Sequence, residues 1–398
     1  MRLYAGVATL LVALLLTHSA AAQEPRASKS TYLKLMQVQE LWEEENWTQA
    51  ITDLEALGAK VRGTPYEYAL VNQYLAHTSL LAGQTQRART ALEAALSMTG
   101  LPPTLVAELK LFYGQVMLGE EEFEIARQMF DDWLATTEKE PTPTHLFSAA
   151  YAHYRTDSLV RAEELVARAI AEATKPDDNW DRLYYQVLFE RGKYDEAEEI
   201  LMRMVTRDPT DQLRWNMLSN HYLRLEDSPR ALAAMLLTYQ QNLVDDPSDL
   251  RKMVSLYSFV EVPERAARML EQWMREGEIE TEPQTLRQLG DLWMLARERS
   301  KAKVVLEQAA AVAEDGRTWE MLGGIHFEDE NWAEAYQAFS NALRVGGLKE
   351  PHRIQLLAGL SAYRAGMEDE ARTALEQAAQ NDKLRAQAKG LLKRLDDV

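Results

Sequence analysis

Apolar and small positions recur along the chain at the spacing of paired helices. Near the C-terminal end, Trp319, Leu322, Gly323 and His326 are followed by Ala335, Phe339 and Ala342. Steps of three and four put each set on one face of a helix. The stretch therefore predicts two short antiparallel helices packed face to face.

The same context returns through most of the sequence. A small residue stands near a helix start in the series Ala50, Ala88, Ala126, Ala162, Ala197, Ala231, Ala266, Ala302, Ala335 and Ala371. Successive intervals are 38, 38, 36, 35, 34, 35, 36, 33 and 36 residues, so ten units follow one another with no intervening domain. Four residues after each alanine comes a large apolar residue, from Leu54 and Leu92 to Phe339 and Leu375. A small residue lets two helices approach, and the large one a turn later fills the gap toward the next pair. Twelve residues before each alanine a second small position is expected. It is Ala76, Gly114, Ala150, Ser219, Gly290, Gly323 or Gly359 in seven units, whereas Val38, Tyr185 and Val254 predict wider or re-angled packing in the other three.

Turn residues fall between these elements. Gly83, Gly192 and Gly366 stand where a left-handed residue would stop the first helix of a pair. Asp208-Pro209, Asp246-Pro247, Glu282-Pro283 and Glu350-Pro351 stand between units.

These residues resemble the tetratricopeptide repeat family, whose pattern is a large residue, Leu, Gly, an aromatic, then Ala, Phe, Ala and Pro. Matches are Trp319-Leu322-Gly323-His326-Ala335-Phe339-Ala342, Trp215-Leu218-Ser219-Tyr222-Ala231 and Leu286-Leu289-Gly290-Trp293-Ala302-Leu306-Ala309. Only Pro209 sits at the terminal Pro register, Trp133 and Trp273 replace the late small residue, and the two long first intervals imply insertions. The resemblance covers residues 31–380. It implies an all-α, right-handed α-solenoid of about ten helix-turn-helix units, with first helices lining a groove where protein partners bind. Residues 381–398 are expected to form a capping helix, with Lys389, Lys393 and Arg394 set among Leu384, Leu391, Leu392 and Leu395.

Met1–Ala22 reads as a cleaved signal peptide. Arg2 precedes a short apolar run, and Ala20-Ala21-Ala22 offers small residues for cleavage before Gln23. Residues 23–30 read as a flexible leader. No later stretch approaches the ~20 apolar residues of a membrane span. The net charge of −18, or −19 after cleavage, disfavours nucleic acid and anionic lipid as partners. Cysteine is absent, so disulfides, thiolate metal sites and a cysteine nucleophile are excluded. The seven histidines are dispersed, with no His-Glu-x-x-His spacing. An acidic, cysteine-free, exported chain fits a bacterial periplasm.

No phosphate loop, dinucleotide fingerprint or nucleophile elbow occurs. Glu43-Glu44-Glu45 and Glu120-Glu121-Glu122 lie at turns and read as solvated surface. No enzyme, cofactor or metal is expected. The fifth position of units five to eight holds Arg182, Asn216, Arg251 and Arg287, and the ninth holds Gln186, Asn220, Ser255 and Asp291. Such a row would take carboxylates or the main chain of an extended peptide, or is simply a wet helix face. In unit four the corresponding residues are Phe147 and Tyr151, with Tyr154 a turn further. They would anchor apolar side chains, or belong to the core between repeats.

The expected function is a non-enzymatic periplasmic scaffold for a protein or peptide from the envelope. The organisation is similar to secreted tetratricopeptide proteins found with TonB–ExbB–ExbD energy-transducing systems. A cofactor of cell-wall, outer-membrane or polysaccharide-export assembly, and a self-assembling module, stand as alternatives. The sequence leaves the oligomeric state open.

Overall fold

The computed structural model describes residues 26–175, 177–244, 246–312 and 316–396. The signal-peptide reading and the first residues of the leader lie outside the described residues. Among those described there are twenty-one α-helices and no strand.

Twenty helices form ten consecutive hairpins. The first four are α1 (Lys29–Glu43) with α2 (Trp47–Val61), α3 (Pro65–Leu81) with α4 (Thr85–Leu96), α5 (Pro103–Gly119) with α6 (Phe123–Thr136), and α7 (Pro143–Arg155) with α8 (Leu159–Glu172). Then come α9 (Asp178–Glu190) with α10 (Tyr194–Arg207), α11 (Gln212–Arg224) with α12 (Ser228–Gln240), and α13 (Pro247–Phe259) with α14 (Pro263–Glu276). The last are α15 (Pro283–Leu295) with α16 (Arg299–Val312), α17 (Gly316–Glu328) with α18 (Trp332–Val345), and α19 (Pro351–Arg364) with α20 (Glu368–Ala378), followed by α21 (Arg385–Asp396). The fold is an all-α repeat solenoid. The described residues divide into two compact halves between Met204 and Val205.

All ten recurring alanines have no exposed surface, and each is the fourth residue of the second helix in its hairpin. The large residue four positions later is also buried in every hairpin. In the four glycine-bearing hairpins the large residue meets the first helix in one way. A Cβ on Gly114, Gly290, Gly323 or Gly359 would lie 3.0, 2.5, 2.6 or 2.7 Å from a side-chain atom of Phe130, Leu306, Phe339 or Leu375. Ser219 uses the same place differently, its Oγ donating to the Ala231 carbonyl at 3.1 Å. Where Val38 or Val254 replaces the small residue, α1 with α2 and α13 with α14 approach along less of their length than the glycine-bearing hairpins. The long early intervals reside in the 17-residue α3 and α5, the 15-residue α2 and the connection after α4.

The turn inside each hairpin is one structure repeated ten times. The residue five before the recurring alanine is left-handed: Gly83, Gly192 and Gly366, but also Glu45, Glu121, Asp157, Glu226, Glu261, Arg297 and Glu330 with φ between 54° and 61°. The next N–H donates to the carbonyl five residues back, as from Gln84 to Ser79 at 2.7 Å and from Asn331 to His326 at 2.8 Å. This closes the first helix by a Schellman motif. Between hairpins, Pro65, Pro103, Pro143, Pro247, Pro283 and Pro351 are each the first helical residue, where a missing N–H costs nothing.

Each half has its own core. In the N-terminal half one cluster runs from Ala69 to Val187, and a second joins α1, α2 and α3 through Leu35, Val38, Leu54, Val71 and Tyr74. The start of α1 is held from α3: the buried Glu67 carboxylate accepts from Ser28 N–H at 2.5 Å and Thr31 Oγ1 at 3.0 Å. Burial alone would raise that carboxyl, but the Ser28 and Thr31 bonds hold it below its ordinary value. In the C-terminal half α21 packs on α20 and α19, burying Ala388 and Leu395 while Lys389, Lys393 and Arg394 stay exposed. Helix α21 thus has the two-faced character a terminal cap needs.

Candidate functional site

The faces of the first helices carry the sequence-derived candidates. Numbering each repeat so that its recurring alanine is the twentieth residue, positions three, seven, eight, ten and eleven turn largely inward. Positions five and nine stay half-buried or exposed from repeat four onward.

In the N-terminal half, α7 and α9 carry five candidates, of which Tyr154 and Gln186 meet at Glu190. Phe147 stacks on Trp180 with ring centroids 5.3 Å apart and planes 16° from parallel. That stack makes Phe147 take part in the packing between repeats, with the residue still half-exposed. Tyr151 lies edge-on to Phe123 at 6.1 Å, and its hydroxyl accepts from Arg155 Nη1 at 3.0 Å. The Arg155 guanidinium sits 3.9 Å over the Phe123 ring. Tyr154 donates to Glu190 Oε1 at 3.0 Å, and Gln186 Nε2 donates to the same oxygen at 2.6 Å. Burial, then the Glu190 contact, pushes the Tyr154 hydroxyl up. Arg182 lies on the same helix face, half-buried, one turn before Gln186. Its Nε–H is buried and meets no acceptor among the described residues. An unmet buried donor leaves a hydrogen bond unmade, which an acceptor reaching it would supply.

In the C-terminal half, Asn216 is half-buried and Asn220 exposed on α11. Arg251 reaches from α13 to Thr285 Oγ1 of α15 at 3.5 Å. Arg287 and Asp291 share one face of α15. Burial raises the Asp291 carboxyl, opposed by Arg317 and Arg287. The row on these helices therefore holds two arginines, one carboxylate and neutral polar residues, and Ser255 is an exposed residue that bonds its own helix at Arg251 O.

The sequence reading missed the groups that complete these clusters: Trp180, Glu190 and Arg155 around α7 and α9, and Arg317 near Asp291. It also missed an aromatic run in the first three repeats. Trp42 stacks on Tyr74 at 5.5 Å and meets His77 at 4.9 Å, and His77 meets Phe112 at 6.2 Å. Trp42 Nε1 donates to Thr78 Oγ1 at 2.9 Å. His77 is buried, and burial lowers it to about 4. Its place at position nine of repeat two was the available signal. Among the described residues no group of three or more His, Cys, Asp and Glu side chains is disposed to hold a metal ion. No described helix is long and apolar enough to cross a membrane.

A tetratricopeptide-repeat family model matches residues 321–388. No curated protein matches the chain. Among solved structures, YrrB, described as a tetratricopeptide protein with an unusual peptide-binding site, is 16% identical with a TM-score of 0.39, over 48% of this chain and 97% of its own. A tetratricopeptide protein from Parabacteroides merdae is 15% identical, TM-score 0.36, over 64% and 98%. The Cut9–Hcn1 structure is 14% identical, TM-score 0.33, over 93% and 96%. The family match supports tetratricopeptide character directly in the last two repeats. The buried alanines and left-handed turns carry the same hairpin through the other eight.

Proposed function

We propose that the protein is a non-enzymatic scaffold that binds an extended peptide segment of a protein partner along its first-helix faces. The observation that carries this reading is Arg182, half-buried one turn before Gln186 on α9, whose buried Nε–H has no acceptor among the described residues. A peptide carbonyl or carboxylate would supply the missing acceptor, while Gln186 offers a further amide and Tyr151 an apolar flank. The polar candidates of α11, α13 and α15 extend the same use of positions five and nine within the C-terminal half.

The proposed setting is the bacterial periplasm, reached by cleavage after Ala22, and the proposed partners are envelope proteins. An accessory of a TonB-type energy-transducing system is the narrower reading, with envelope or polysaccharide-export assembly as its rival. N-terminal sequencing of the exported chain should give Gln23 first. A chain retaining Met1 would remove the periplasmic reading.

Peptide display against the full chain tests the binding. Peptides that survive selection should bind the native chain and lose binding to R182E. A library that yields no binder, or binders indifferent to R182E, would leave the face as ordinary solvated surface.

A further inference from the structure

The first helix of the array presents a face that the next repeat buries against its predecessor. Position three is Val71 in repeat two and Ile354 in repeat ten, both buried against the preceding hairpin. Position six is Tyr74 in repeat two, packed on Leu35 and Val38. In repeat one these two positions are Leu33 and Met36, 52% and 38% exposed. Among the described residues nothing lies over them. The opposite end of the array carries α21, so the two ends are finished differently.

The exposed stripe is ordered by charge. Lys29, Leu33, Met36, Glu40 and Glu43 follow at steps of four, three, four and three, the spacing of a single helical seam. The stripe is basic at its start, apolar in the middle and acidic at its end. Both charge groups stand at the wrong ends for the helix's own dipole, which favours acids in the first turn and bases in the last.

An antiparallel copy of the same helix resolves each of these features. We infer that α1 is a self-association surface, two copies meeting seam to seam about a two-fold axis centred between Leu33 and Met36. That pairing sets Leu33 against Met36 of the second copy and Lys29 against its Glu40. The contact is isologous and closes as a dimer. It continues outward the stacking that already joins one repeat to the next. The seam is short, so the dimer is a weak one by the standard of interface area. The inference stands apart from the peptide-binding reading, because α1 carries none of the residues proposed to bind peptide.

Sedimentation equilibrium of the full chain at low ionic strength tests it. The native chain should dimerise reversibly, and L33E should weaken dimerisation at least tenfold with an unchanged circular-dichroism spectrum. K29E should weaken it several-fold by facing Glu40 with a like charge, and K29E/E40K should restore it. A native chain that stays monomeric to about 100 µM overturns the inference, whether residues 1–25 or another protein covers the stripe. So does a dimer indifferent to L33E, or a double variant as weak as K29E.

Discussion

Gly323 on α17 lies so close to the Phe339 ring on α18 that a Cβ there would fall 2.6 Å from Phe339 Cδ1. The next residue, Gly324, has nothing within 4 Å of the same hypothetical atom. Adjacent glycines on one helix therefore predict opposite outcomes. G323A should destabilise the C-terminal half by about 1–3 kcal/mol through overpacking. G324A should stabilise it by about 0.5–1 kcal/mol, because alanine has the better helix propensity and nothing opposes it. Urea denaturation of the two variants beside the native chain checks both signs.

The hairpin turns give a second pair. Gly83 and Glu121 occupy the same left-handed position in successive repeats, at φ 70° and 61°. An L side chain costs about 1–2 kcal/mol in that region. G83A should lose roughly 1 kcal/mol, while E121G should gain up to about 1 kcal/mol, less the added freedom of glycine in the unfolded chain. Thermal unfolding monitored by circular dichroism reads both.

These two pairs show what the sequence made legible. The recurring alanine and its partner four residues later set the register, because close helix–helix contact favours small residues at the crossing. That register located all ten hairpins, and the valines at 38 and 254 marked the looser ones. The turns were legible only where glycine filled them. The seven charged residues in left-handed turns looked like ordinary solvated acids and bases, since the Schellman bonds that hold them are made by backbone, not side chains. The candidate site was legible in part. Position five pointed to Arg182 and Phe147, but the residues that complete their surroundings come from a neighbouring helix about 36 residues away, as Tyr154 and Glu190 do. Single-position spacing does not encode that pairing.

Acid should loosen the N-terminal half through His77. Burial lowers its pKa from 6.5 to about 4, so the folded chain keeps it neutral where the unfolded chain protonates it. The unfolded state then binds the extra proton as pH falls from about 6.5 to about 4, and stability falls with it by up to about 3 kcal/mol. Below about pH 4 this contribution is spent, and above about 6.5 it is fully present. H77F keeps an aromatic ring against Trp42 and Phe112 and should flatten that part of the stability profile. A profile of the same slope in H77F would assign the acid sensitivity to other groups.

In the C-terminal row, Arg287 and Asp291 should behave as coupled neighbours. R287E places a carboxylate beside Asp291, whose carboxyl burial already raises. Titration by NMR of a chain carrying R287E should move the Asp291 pKa further up, while R251E, reaching Thr285 instead, should leave it unchanged. Equal movement in both variants would contradict the neighbour relation on α15.

The peptide-binding claim rests most directly on one titration. A display-selected peptide, fluorescently labelled, is added to the native chain, to R182E and to L33E, and the Kd of each is read by anisotropy. The account predicts binding at least tenfold weaker in R182E and unchanged in L33E, with all three chains equally helical. An R182E chain that binds the peptide as the native chain does would contradict it.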